Sequence, residues 1–229
     1  MKKAERIMGL IALIITALGT MITGEEYRKT QGESGCEKSV VVIDAGHGGK
    51  DPGKVGCHNE MEKDINLAIA LRVRELLIEQ GIEVVMTREG DYTATGDYDS
   101  TKNEDMKKRV DIINNAAAAC CVSIHQNSYT SSGVRGAQTF FYAGSENAGL
   151  LAAAVQQSLV QLADPENTRK IKENKDYYVL VQSNCPTVIV ECGFLSDEDE
   201  SVKLNSPEYQ DLLAGAIVAG ILKYLKIQP

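Results

Sequence analysis

Three residues of this 229-residue chain are of types that do chemistry and stand at matching places. His47 comes directly after the apolar run "VVVIDAG", His125 ends "CCVSIH", and Glu191 ends "TVIVE". Histidine titrates near neutral pH and ligates metals as the neutral imidazole. Two imidazoles and one carboxylate, with water in the fourth position, make an open zinc site. The carboxylate could come from Glu60 or Glu62, at the entry to the first amphipathic segment, or from Asp44. A further carboxylate is then free to act as general base, and Glu191 suits that task. It follows an apolar run, where desolvation raises a carboxyl pKa toward the working range.

Other chemistries fit less well. Gly48, Gly53 and Lys54 copy most of a phosphate-loop spacing after a strand. Val55, however, stands where Ser or Thr must hold Mg²⁺, and the helical pattern begins only near Glu62. Cys192 adjoins Glu191, but neighbouring strand residues point to opposite faces, which leaves the thiol in the core. His58 reads as a loop residue, as do Lys50 and Asp51.

The elements that carry these residues alternate. Short apolar, β-branched runs fall at 39–44, 82–87, 120–125, 136–142, 177–181 and 187–192. Helix-like segments fall at about 62–80, 104–117, 146–163 and 207–225. In the first of these, Ile65, Ile69, Val73 and Leu76, with Ala68 and Leu77, recur every three or four residues and make one apolar face. Continuous apolar strands alternating with helices predict an α/β, three-layer domain: a mostly parallel or mixed sheet of about six strands, covered by helices on both faces. "SGVRGAQTFFYAG" offers a hairpin-like pair that would make the sheet mixed. In an open α/β sheet, ligands bind beyond the carboxyl ends of strands, where His47, His125 and Glu191 all fall. "NEDMKKRVD" and "SDEDES" read as solvated, charged faces.

The N-terminus is of another kind. Lys2, Lys3 and Arg6 precede the uncharged segment "IMGLIALIITALGTMI", residues 7–22. That layout is a signal peptide or membrane anchor over 1–24, followed by a polar linker over 25–38 and the catalytic domain over 39–229. The body of the protein is expected to be exported, outside the cytoplasmic membrane. The whole chain carries a net charge of −8, and losing 1–24 would make it more acidic still. Nucleic acid is therefore a poor partner. Six cysteines in an exported chain raise the question of disulfides. Cys120, Cys121 and Cys192 lie in apolar runs where thiols pack as small hydrophobes, and no C-x-x-C occurs, so no essential disulfide is expected.

Taken together, "IDAGHGGKDPGKVG", "EKDINLAIAL", "VMTREGD", "SIHQN" and "VIVECGFLSDEDE" resemble the successive blocks of the zinc-dependent N-acetylmuramoyl-L-alanine amidase family. The likeness runs in order over residues 40 to 225. It implies that His47, Glu62 and His125 bind one zinc ion per chain and that Glu191 is the catalytic glutamate. It implies a glycan–peptide peptidoglycan substrate cut between N-acetylmuramic acid and L-alanine. A nearby donor such as Asn127 or Arg135, chosen from the sequence and not from the resemblance, is a candidate to help the oxyanion. "RGAQTFFYAGS" and "DPENTRKIKENKDYYVLVQSNCPTVIVECGFLSDEDE" look most like the sporulation-associated cortex amidases of endospore formers, which prepare muramic δ-lactam. A small amidase of this kind also invites an activating partner protein.

Overall fold

The apolar runs and amphipathic segments fold together in a computed structural model that describes residues 39–131 and 133–227. The signal-or-anchor segment, the linker and Cys36 lie outside the described residues. Six strands form one sheet: β1 (Val40–Ala45), β2 (Glu83–Met86), β3 (Cys120–Asn127), β4 (Gln138–Tyr142), β5 (Lys172–Asn174) and β6 (Thr187–Phe194). Their order is β2-β1-β3-β6-β4-β5. The four strands β2, β1, β3 and β6 are mutually parallel. β4 runs antiparallel to β6, and β5 parallel to β4, so the sheet is mixed. The expected hairpin does not form; β4 crosses to pair with β6 rather than with its chain neighbour β3.

Helices cover both faces. α1 (Glu62–Glu79), α3 (Glu146–Ser158, extended by a π-helical turn over Leu159–Ala163) and α6 (Pro207–Ile227) pack on one side. α2 (Lys102–Asn115) and α4 (Tyr178–Gln182) pack on the other, and α5 (Glu198–Leu204) follows β6. Alternation within the strands sorts the side chains. Val41, Ile43, Val122, Ile124, Val188, Val190 and Cys192 face the α1/α3/α6 core. Val42 and Cys121 face α2 and α4. On α1 the buried residues Ile65, Ile69, Val73 and Leu77 supply the predicted stripe, each worth about 1.5–3 kcal/mol of burial. The described cysteines are all free thiols. No helix of the described residues is long and apolar enough to cross a membrane.

The run 177–181 is a correction: it is helix, not strand. Asn174 Oδ1 accepts the amides of Asp176 and Tyr177 at 2.8 and 2.7 Å and turns the chain out of β5. Val179 and Leu180 are then buried from one helical turn. A five-residue apolar run has no periodicity that separates a short buried helix from a strand. The actual edge strand, Lys-Glu-Asn, is polar, as suits an edge left without a pairing partner.

The two charge-rich segments are also corrected. Thr101 caps α2 with a reciprocal capping box to Glu104, but Asp105 and Arg109 of "NEDMKKRVD" point inward and are buried. Arg109 Nη1 meets Asp44 Oδ1 at 2.6 Å, and its Nε meets Asp105 Oδ2 at 2.9 Å. In "SDEDES", Asp197 caps α5, while Glu200 is buried and accepts the amides of Gly136 and Phe194. A charged side chain is buried only when it is paired or hydrogen-bonded, and such pairing is not visible in composition.

Burial by itself would raise the Asp44 carboxyl. The Arg109 guanidinium and the Ser123 hydroxyl overcome this and hold it at about 2, below the ordinary 3.8. A folded-state value below the unfolded one means that the ionised pair stabilises the fold above about pH 4, and that this stability is lost as pH falls toward about 2. Urea unfolding between those limits should show the loss in the natural chain, and Asp44→Asn should flatten it. At neutral pH, Arg109→Leu leaves Asp44 buried without its cation and should lower the unfolding free energy by about 3–5 kcal/mol. An unchanged urea midpoint would contradict that assignment.

Candidate functional site

The loop leaving β1 is shaped by where its carbonyls go. Arg109 donates to Ala45 O at 2.7 Å and to His47 O at 2.6 Å. Arg88 donates to Ala45 O at 2.9 Å and to Gly46 O at 3.0 Å, and also to Lys63 O at 2.7 Å. With its carbonyl held this way, His47 takes a φ of 60°, a left-handed conformation costly for a side chain other than glycine. Gly46 carries no Cβ because one would run into the His125 ring. Gly53, at φ +65°, leaves room for Glu62 and His47; a Cβ there would lie 2.6 Å from Glu62 Oε2.

Three donors converge beyond the sheet edge. Glu62 Oε1 lies 3.3 Å from His47 Nε2 and 3.0 Å from His125 Nδ1. The three candidate ligand atoms all fall within 4.8 Å of one another. Glu62 is the first residue of α1, where a negative charge suits the helix dipole. Its carboxylate is fixed further by the amides of Gln126 at 3.0 Å and Lys54 at 2.8 Å, and by Asn66 Nδ2 at 3.3 Å. The Lys54 amide is therefore spent on Glu62, and the Gly53 amide on Asp51 Oδ1 at 3.0 Å. That spends the amides a phosphate loop would need.

The electrostatics of the cluster favour a cation. Burial would raise the Glu62 carboxyl, but hydrogen bonds and charge from His125 and His47 overcome it and hold it far below its usual range. Burial would lower His47, yet Glu62 and Asp51 overcome this and raise it. A buried carboxylate that stabilises imidazolium in this way offers the same field to a divalent metal. Two histidines and a carboxylate are an open zinc donor set. Glu191 sits beside them, directly opposite His125 in the β3–β6 register. Its Oε2 is a buried oxygen without a hydrogen-bond partner among the described residues. Burial, with the Glu62 charge adding to it against the two histidines, raises Glu191 to about 7. The residues present thus fit a metal with a free carboxylate next to it.

The structure brings together His47, Glu62, His125 and Glu191, and leaves the other candidates out. Asp44 points to the α2 face, bonded to Arg109, Ser123 and Thr87. Glu60 Oε2 accepts the amide of His58 at 2.8 Å. Asn127 Oδ1 accepts the next amide, that of Ser128, at 2.7 Å, as a loop cap does. Arg135 is exposed and lines a cavity beyond Gln138, away from the three ligand candidates. Cys192 faces the apolar core, where burial pushes its thiol well up and rules out a ready thiolate.

Asp51 is the residue that the sequence reading missed. Its Oδ2 lies 2.9 Å from His47 Nδ1. A proton held on Nδ1 by that carboxylate leaves the Nε2 lone pair facing Glu62 and the cluster. The signal available was a carboxylate four residues after a histidine in a glycine-rich loop. It becomes meaningful only once the left-handed turn at His47 brings the two together.

Residues 41–223 match the family described as N-acetylmuramoyl-L-alanine amidase. The chain is 39% identical over 189 residues to the germination-specific N-acetylmuramoyl-L-alanine amidase of Bacillus subtilis, covering 81% of this chain and 79% of that protein. Among solved structures it is similar to the CwlD amidase of Clostridioides difficile in complex with the GerS lipoprotein, with 40% identity and a TM-score of 0.79, over 83% of this chain and 100% of that one. An N-acetylmuramoyl-L-alanine amidase from Clostridium difficile 630 is similar at 36% identity and a TM-score of 0.75, over 84% and 99%.

Removing the partner of a ligating histidine weakens metal binding about 10–100-fold in comparable sites. Asp51→Asn should do so here while the melting temperature of the metal-free protein stays near that of the natural chain. Competition titration with a chromophoric chelator reads the affinity. Equal affinities would remove Asp51 from the site.

Proposed function

The chain belongs to the N-acetylmuramoyl-L-alanine amidase family, and from that premise we propose how its own residues carry the reaction and where it is used. The activity that membership carries is hydrolysis of the amide between N-acetylmuramic acid and L-alanine in peptidoglycan. In our reading His47, Glu62 and His125 would hold one zinc ion. When bound there, zinc would supply Lewis acidity toward the scissile carbonyl and the attacking water.

The rest of the chemistry falls to the protein. Asp51 keeps His47 in the tautomer that presents Nε2. Glu62 is held ionised by the two imidazoles and by its backbone amides. Glu191 takes the proton of the attacking water at its unpartnered Oε2 and returns it to the departing alanine nitrogen. A carboxyl raised to about 7 is matched to both halves of that transfer. The observation that carries the reading is this one: a buried, unpartnered carboxylate oxygen standing directly across from His125 in the sheet.

The biological setting is part of the same proposal. Likeness to the germination-specific amidase of Bacillus subtilis and to CwlD supports a role in spore-cortex maturation. The CwlD structure includes the GerS lipoprotein, and we extend to this chain the expectation of a lipoprotein partner. Such a role requires export, consistent with the basic head and apolar segment of residues 1–24.

The test is digestion of intact peptidoglycan by the zinc-loaded protein and by Glu191→Gln, with fragments read by mass spectrometry. The natural chain should release peptides with a free L-alanine N-terminus. Glu191→Gln should lose at least about 10²–10⁴-fold in rate, the range that general-base catalysis contributes, while binding zinc as before. Cuts within the peptide would replace the amidase reading with a peptidase one. A zinc-loaded Glu191→Gln protein of full activity would remove the base.

A further inference from the structure

We propose that the cavity next to Glu191 is the subsite for the stem peptide beyond its first L-alanine, and that the Arg169 guanidinium receives the free carboxylate of the second residue; this rests on the amidase reading above. His125, Glu191 and Gln138 form one row across β3, β6 and β4, each directly opposite the next. Side chains opposed in this way share a face and have Cβ atoms about 5 Å apart. Gln138 is therefore the next surface that a substrate meets after the base. It also forms the near wall of a cavity of about 920 Å³, whose lining includes Arg135, Arg169 and Lys203.

Arg169 is held for a task. Its Nε donates to Arg135 O at 2.7 Å, its Nη1 to Gln138 Oε1 at 3.3 Å, and the guanidinium carbon stands 4.5 Å over the Phe194 ring. Fixed on three sides and half-buried, the fork keeps Nη2 without a hydrogen-bond partner among the described residues. A planar guanidinium pre-set in this way is suited to a carboxylate. Among the described residues, none of the three cations forms an ion pair, although carboxylates share the cavity. One of these, Glu200, is committed to the amides of Gly136 and Phe194 at 2.9 and 2.8 Å. Asp164, Glu166 and Asp199 also line the cavity, with Glu166 and Asp199 exposed. Both signs of charge thus line one space without closing into salt bridges among the described residues. That lining suits a stem peptide, which carries free carboxylates and, further along, the amino group of its diamino acid; a neutral glycan strand would leave these charges unmatched.

The distances agree. An extended peptide advances about 3.3–3.6 Å per residue, and neighbouring strands lie about 4.8 Å apart. A stem peptide leaving Glu191 across β4 has a reach of about 7 Å in two residues, enough to pass Gln138 one strand away and approach Arg169, whose Nη1 contacts Gln138 Oε1 at 3.3 Å.

Two soluble muropeptides test this, one with a free carboxylate on the second stem residue and one with a carboxamide there. The zinc-loaded natural chain should prefer the free acid by about 10–100-fold in kcat/KM, chiefly through KM, as loss of a charge-assisted hydrogen bond implies. Arg169→Gln should erase that preference by raising KM for the free acid alone, with kcat and melting temperature unchanged, and Arg169→Lys should keep part of it. Indifference of the natural chain to the carboxamide would overturn the subsite. So would an Arg169→Gln protein that loses kcat equally on both substrates, which marks a structural role. Failure of the natural chain to cleave either muropeptide would instead strike the amidase reading, and the subsite with it.

Discussion

The whole site hangs on three successive carbonyls, those of Ala45, Gly46 and His47, that turn inward onto buried arginines instead of continuing the sheet. Backbone acceptors removed from water must find donors, and here Arg88 and Arg109 supply them from different elements. Arg88 follows β2 and Arg109 lies on α2, so the loop is gripped from a neighbouring strand and from a covering helix. Two buried guanidiniums are expensive. Asp44 and Asp105 offset the charge of Arg109, and the carbonyls themselves solvate Arg88. The return is a histidine held at a backbone angle it would not otherwise keep, with its ring edge aimed at the same point as His125.

Around that point two glutamates receive opposite treatment. Glu62 faces two imidazoles and three amide donors, so its charged form is the stable one. Glu191 lies on the same edge but is buried with its Oε2 unpartnered and meets the negative charge of Glu62, so its proton is held near neutrality. One residue type thus fills two proposed roles, anionic ligand and proton carrier, because the surroundings differ. Neither role depends on the side chain alone.

Much of this could be read in the sequence, for a definite reason. Parallel strands are apolar from end to end, so a polar residue at a strand's carboxyl end stands out, and His47, His125 and Glu191 each do. The helices with long apolar stripes were equally legible. What was hidden lay where a residue's meaning depends on tertiary partners. Asp51 looked like loop surface because its bond to His47 exists only after the left-handed turn. Asp105, Arg109 and Glu200 looked solvated because buried ion pairs and amide caps leave no periodic trace. Residues 177–181 looked like strand because a single helical turn of valines and leucine has no period to read. The choice of Glu62 over Glu60 and Asp44 came from family likeness; in the structure the choice follows from α1 beginning at Glu62 and directing its first carboxylate at both rings.

The parallel pairing of β1, β3 and β6 bears on when this protein can act at all. His47 and Glu62 come from one stretch of chain, but His125 and Glu191 come from distant segments, and the four meet only when non-local strands have paired in register. Contacts of this kind form late and slowly, since the loop-closure entropy must be met before they contribute. No contiguous fragment shorter than residues 47–191 contains the whole centre. An emerging or incompletely folded copy is therefore inert toward whatever surrounds it, and catalytic competence arrives in the same cooperative step that completes the sheet.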